Sequence, residues 1–156
     1  MPNEGVIALR DSTRNYLQSV LWKRPVAITL TLKQRLKHQK LDLFEASKNF
    51  RHFMNRLNRS CFGNAVRRQD KRLRVFSVVE HNALVRFHHH GVIERPEHLE
   101  FEEFKQLIQS CWLKTNWGFG HMDIKPVTSE GWINYITKLA SKPEYDLAID
   151  WITAKI

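Results

Sequence analysis

The spacing of apolar positions along the chain changes several times, and each change marks an element. Pro25-Val-Ala-Ile-Thr-Leu-Thr-Leu-Lys33 follows a basic stretch, is rich in β-branched side chains and opens on a proline, so it reads as a strand. From Leu43 the period lengthens: Leu43, Phe50, Phe53, Leu57 and Cys61 recur at helical spacing between Asp42, a helix N-capping type, and Gly63, a helix-ending type. Arg72 to Glu80 and Arg86 to Glu94 return to apolar, β-branched runs and predict a hairpin around a loop from His81 to Val85. After Pro96, the side chains of Phe101, Phe104, Leu107, Ile108, Cys111 and Trp112 form one helical stripe. Gly118 to Val127 reads as a fourth strand and Ser129 to Ala140 as a helix ended by Pro143, while a short helix around Ser12 to Trp22 precedes the first strand.

Strand, helix, hairpin, helix, strand is the order of an α+β, ferredoxin-like (split βαβ) fold, an antiparallel sheet with helices packed on one face. A chain of 156 residues, 42% of them hydrophobic, suffices for one such domain over 1–156 with a core of about 24–142. No run approaches the roughly 18 consecutive apolar residues of a membrane span, and Met1 to Arg10 lacks a signal-type apolar run. A cytoplasmic protein with no membrane partner is expected. Cys61 and Cys111 each sit in an apolar helical pattern without paired spacing, which reads as two small buried hydrophobes in a reducing compartment.

This fold hosts unrelated activities, so function must come from side chains. Lys and Arg number 25 against 16 Asp and Glu, a net charge of +9, which favours nucleic acid over a neutral metabolite as partner. From Lys48 to Arg74 there are nine basic residues and one acid, Asp70. Arg67, Arg68 and Arg72 are the candidate phosphate contacts in that run, which is also the pattern of a solvated helix face.

A hairpin symmetric about its loop pairs Glu80 with His88. Opposed residues share a sheet face with Cβ atoms about 4.5–5.5 Å apart, and His90 emerges on that same face. One carboxylate and two imidazoles suit a divalent ion, Mg²⁺ or Mn²⁺, with positions left open for water and substrate. A slip of one residue would separate Glu80 from both rings, leaving Phe87-His-His-His-Gly91 a mere polar tract. His89 points away and fills the back face; His81, His98 and His121 have no such company and receive no role. On the last helix Tyr135, Lys138 and Lys142 project from one side, while Trp132, Ile136, Leu139 and Ala140 form an apolar side. An ammonium beside a phenol oxygen favours the phenolate or holds an approaching phosphate, although an amphipathic tyrosine and a surface lysine give the same spacing.

Together these segments resemble the HUH family of single-strand DNA endonucleases, in particular the catalytic domains of rolling-circle replication initiators from plasmids and phages. Ile28-Thr-Leu-Thr31 is similar to their first motif, and His88-His-His90 to His-x-His, with a histidine where the family usually has an apolar middle residue. Glu80 lies upstream like the acidic ligand of viral initiators, and Tyr135-Ile-Thr-Lys138 is similar to Tyr-x-x-Lys. The resemblance runs from about Val26 to Leu139. It implies a divalent ion held by Glu80, His88 and His90, attack by Tyr135 on a single-stranded origin or hairpin to give a 5′-phosphotyrosine link, and assistance from Lys138. Lys142 would join the arginines in gripping DNA. No Gly-x-x-x-x-Gly-Lys-[Ser/Thr] loop occurs in the chain, so a host helicase would be recruited unless these residues are one domain of a longer protein.

Four other readings remain open on the sequence. A single-tyrosine insertion-sequence transposase shares the order of motifs but usually has glutamine after the tyrosine. A relaxase would use an upstream tyrosine such as Tyr16. A non-catalytic nucleic-acid-binding module needs aromatics on the sheet face. A zinc hydrolase would keep its activity without any tyrosine.

Overall fold

The computed structural model describes residues 4–82, 85–129 and 131–140. Eleven elements follow in chain order: α1 (Glu4–Ser19), β1 (Pro25–Leu32), β2 (Arg35–Leu36), β3 (Gln39–Lys40), α2 (Leu43–Phe62), α3 (Ala65–Arg68), β4 (Val75–Asn82), β5 (Val85–Glu94), α4 (Phe101–Leu113), β6 (Gly118–Pro126) and α5 (Gly131–Ala140). Four strands form one sheet in the order β4-β5-β1-β6, every neighbour antiparallel. Two crossover helices joining strands in this order make the split βαβ arrangement expected of the sequence.

Helix α2 begins and ends where its sequence dictates. The Asp42 carboxylate accepts from the Glu45 backbone N–H at 2.8 Å, and Gly63 takes a φ of 54°, with its N–H bonded to the Arg59 carbonyl. Its inward residues Phe50, Phe53 and Leu57 meet Phe104, Ile108 and Trp112 of α4 over Ile28, Leu30, Leu32 and Ile93 of the sheet. Each such side chain, fully withdrawn from water, contributes about 2–3 kcal/mol. Buried polar groups tie the layers: the Trp112 indole N–H donates to the Thr31 carbonyl at 3.0 Å, and the Asn58 side chain accepts from Leu73 N–H at 2.7 Å, fixing the entry to β4. Cys61 and Cys111 lie in this layer, where burial and then the neighbouring Cys111 push the Cys61 thiol up to about 12.

Helices on one face of the sheet describes α2 and α4. The other face carries a second, smaller core in which Leu17 of α1 and Ile133 and Ile136 of α5 cover Phe76, Val78 and Val92. Arg14 Nε donates to Thr137 Oγ1 at 3.2 Å, which pins α1 to α5.

Three further departures from the sequence reading have local causes. The hairpin strands run beyond the expected loop, with Asn82 paired to Val85 after an irregularity that follows Glu80; His81 is a strand residue stacked on Phe87 at 3.8 Å. Arg72 to Arg74 precede β4 rather than opening it. The first helix is displaced towards the N-terminus, ending at Ser19, and Leu21 to Arg24 instead carry the chain to β1. The small β2/β3 ribbon and α3 lack any apolar periodicity. Among the described residues no helix is long and apolar enough to cross a membrane.

Candidate active site

The register of the central hairpin is the one that symmetry about its loop requires: Glu80 pairs with His88, Val79 with His89 and Val78 with His90. Across β1, His90 faces Thr29 and His88 faces Thr31. Glu80, His88, His90, Thr29 and Thr31 therefore share the face on which α5 packs, and Asp123 of β6, paired with Thr29, extends the row. Close approach of β4 and β5 depends on Gly91, where a Cβ would lie 2.6 Å from the Phe76 carbonyl oxygen.

His90 is the hub of the site. Its Nε2 stands 2.7 Å from Glu80 Oε2 and its Nδ1 3.2 Å from Thr29 Oγ1, with His90 and Glu80 side chains only 9% and 18% exposed. Against an ionised carboxylate, which only accepts, the proton of this bond sits on Nε2, and the Thr29 hydroxyl bonds to the other ring nitrogen, Nδ1. The His88 and His90 ring centroids are 5.8 Å apart. Tyr135 of α5 meets His90 edge to face, also at 5.8 Å and at 86°, while remaining 54% exposed. A phenol beside the histidine pair yet open to solvent can reach a polymeric substrate.

Two buried polar atoms on this face, His88 Nδ1 and Thr31 Oγ1, have no hydrogen-bond partner. With the Glu80 oxygen and the imidazole nitrogens they form a donor set whose chemistry fits a divalent ion. Among the described residues, however, no three His, Cys, Asp or Glu side chains stand as an ion cage, and Glu80 and His90 are bonded to each other. Ligation by His90 Nε2 would require loss of the proton it shares with Glu80.

His89 lies on the opposite face, fully buried, stacked on Phe50 at 4.5 Å with Nε2 donating to the Ala46 carbonyl at 3.1 Å. Burial pushes its pKa down to about 3; the Ala46 bond opposes that shift, and His90 and His88 add to it. His98 donates to the Cys61 carbonyl at 2.9 Å, and His121 is exposed on β6.

Of the other residues singled out in the sequence, Lys138 belongs to α5, but its side chain, like the whole of Lys142, lies outside the described residues. Arg67 and Arg68 are exposed on α3, and Arg72 is exposed and paired with Asp70 at 3.5 Å. The arginines of α2 extend from the face opposite Tyr135, since that helix packs on the side bearing His89. The sequence assigns Thr29 and Thr31 only to a strand with alternating threonines; pairing to His90 and His88 makes them part of the site.

A profile of the replication-associated protein ORF2/G2P family matches residues 25–144. The chain belongs to this family. The ORF2/G2P match opens at the first residue of β1 and takes in every strand of the main sheet together with Glu80, His88, His90 and Tyr135; α1, with Tyr16, lies outside it. No curated protein and no solved structure matches the chain. Membership makes this a replication-associated protein, which is a broader statement than a nicking enzyme.

Proposed function

We propose that the protein is a metal-dependent, site-specific single-stranded DNA endonuclease and strand transferase that nicks an origin to start rolling-circle replication. The observation that carries this reading is the packing of the exposed Tyr135 ring against His90 while His90 is bonded to Glu80. Membership in the replication-associated ORF2/G2P family supports it.

In this reading the Tyr135 oxygen attacks the scissile phosphorus, the bond from phosphorus to the 3′ oxygen breaks, and a 5′-phosphotyrosine link and a free 3′-hydroxyl result. The phenol loses its proton and the departing 3′ oxygen gains one. Glu80, His88 and His90 would hold the divalent ion, Mg²⁺ or Mn²⁺, which when bound supplies positive charge for the phosphate oxygens. Thr29 orients the His90 ring through Nδ1. Lys138, three residues along α5, would steady the negative charge at the phosphate or phenolate. Reversal by another 3′-hydroxyl joins strands. Arg67, Arg68, Arg72 and Lys142 would contact phosphates, and unwinding would fall to a host helicase.

Incubation with labelled single-stranded DNA and Mn²⁺, followed by denaturing electrophoresis, tests this. A labelled adduct of protein size is expected. DNA retention without cleavage or adduct would overturn this reading and select a nucleic-acid-binding module without catalysis.

A further inference from the structure

Beside the foot of α5 lies a cavity of 420 Å³, enclosed by the end of α1, the Leu21-Trp22-Lys23 segment, the connection from β6 and the first turn of α5. Its volume falls within the roughly 300–1,000 Å³ of small-ligand sites. Trp22 and Trp132 line it, edge to face with centroids 5.5 Å apart, and both remain only partly buried. The Trp22 indole N–H is removed from water yet has no hydrogen-bond partner.

Two further features point to the occupant. Trp132 precedes Tyr135 on α5 by three residues, about 4.5 Å of helix rise, so the cavity adjoins the candidate active site along one helix. Cations flank it: Lys23 lines the wall, and the Arg74 guanidinium lies over the Trp22 ring at 5.7 Å with Nη1 on the Leu21 carbonyl at 2.7 Å. Arg74, paired with Glu94 at 3.9 Å, also borders a cleft of 470 Å³ whose lining includes Arg24, Lys71, Arg72 and Arg95 with Glu94 and Glu97. Aromatic rings suit a base, and the neighbouring cations suit its phosphates.

Resting on the reading of the protein as a single-strand nickase, we propose that the Trp22–Trp132 cavity takes one unpaired nucleobase of the strand held at Tyr135, the base stacking on the exposed part of the indole surface. The basic cleft beyond Arg74 then carries the adjoining backbone. A flipped base at this position fixes the strand relative to the phenol oxygen and restricts the site to DNA whose base is free to leave a stack.

The test is NMR on the full ¹⁵N-labelled chain titrated with oligo(dT), in parallel with an abasic deoxyribose-phosphate strand of equal length and charge. Loss of one peak in Trp22→Phe identifies the Trp22 indole resonance. That resonance is expected to move on saturation with oligo(dT) and to stay in place with the abasic strand. Trp22→Phe, which keeps an aromatic ring but offers less stacking surface, should weaken oligo(dT) binding by about three- to tenfold and leave abasic-strand binding unchanged. A Trp22 signal that stays in place while oligo(dT) saturates the protein, or that moves equally with both strands, would overturn the base pocket and leave the nickase reading standing. Failure of the protein to bind oligo(dT) at all would overturn the base pocket, while the nickase reading is decided separately by the labelled-adduct assay.

Discussion

The imidazole of His90 meets the phenol ring of Tyr135 edge to face with centroids 5.8 Å apart, joining a central strand to a helix from the far end of the chain. Tyr135→Phe preserves that packing and removes only the hydroxyl. If Tyr135 is the nucleophile, the substitution should reduce cleavage on the order of 10⁴-fold or more and abolish the covalent adduct. Stability should change by less than about 0.5 kcal/mol, because the residue is half exposed. Electrophoresis of labelled DNA and a thermal melt read the two effects separately. Full cleavage by this variant would exclude Tyr135 as nucleophile.

Glu80 and His90 share one short bond, so replacing either touches both the proposed ion site and the packing around it. His90→Ala leaves the Glu80 carboxylate, mostly shielded from water, without its imidazole; a destabilisation of about 1–3 kcal/mol is expected. Mn²⁺ binding, followed by calorimetry, should be lost together with cleavage, while single-strand binding persists because phosphate contacts elsewhere supply most of the grip. Undiminished Mn²⁺ affinity in this variant would exclude His90 as a ligand.

The same residues show how far sequence alone reached. Asp42, Gly63 and the apolar stripe of α2 are strong local signals, and the helix they bound is the one observed. The pairing of Glu80 with His88 was legible because alternation places one hydrophobic set inward, and a slip would have buried His88 and exposed His89. The cover given by α1 was not legible, since among the described residues Leu17 is the one side chain of this helix in the second core. The threonine hydroxyls were hidden for another reason: which strand lies beside β5 depends on long-range topology, and only that places Thr29 at His90. The basic segment also divides in space: its α2 arginines lie on the side of the sheet remote from Tyr135.

That division of the basic segment has a measurable consequence. Arg67, Arg68 and Arg72 lie just before β4, whereas Arg51, Arg56 and Arg59 are exposed on α2, on the side of the sheet remote from Tyr135. Neutralising the first three together should reduce the salt dependence of single-strand binding by about two in slope, each phosphate no longer neutralised accounting for about 0.7. Neutralising the α2 trio should leave the slope almost unchanged. Equal effects of the two triple substitutions, read by fluorescence anisotropy across a salt series, would show that charge acts only through its total.

His89 gives the last expectation, and here the sign of the pH effect separates a core residue from a ligand. The folded protein holds this ring neutral to about pH 3, against an ordinary value near 6.5, because burial against Phe50 excludes the charged form. Unfolded chains take up the proton below about pH 6.5 and the fold does not. The contribution of His89 to stability is therefore complete above that pH and is lost progressively as pH falls from 6.5 towards 3. His89→Leu removes this titration along with the bond to Ala46, so its melting temperature should lie below wild type at neutral pH and decline less steeply on acidification. Because the ring faces away from Glu80, the same variant should retain cleavage within a fewfold of wild type, unlike His88→Ala and His90→Ala. Thermal melts at a series of pH values, with a cleavage assay at neutral pH, test both halves; a variant that folds but no longer cleaves would place His89 in the chemistry after all.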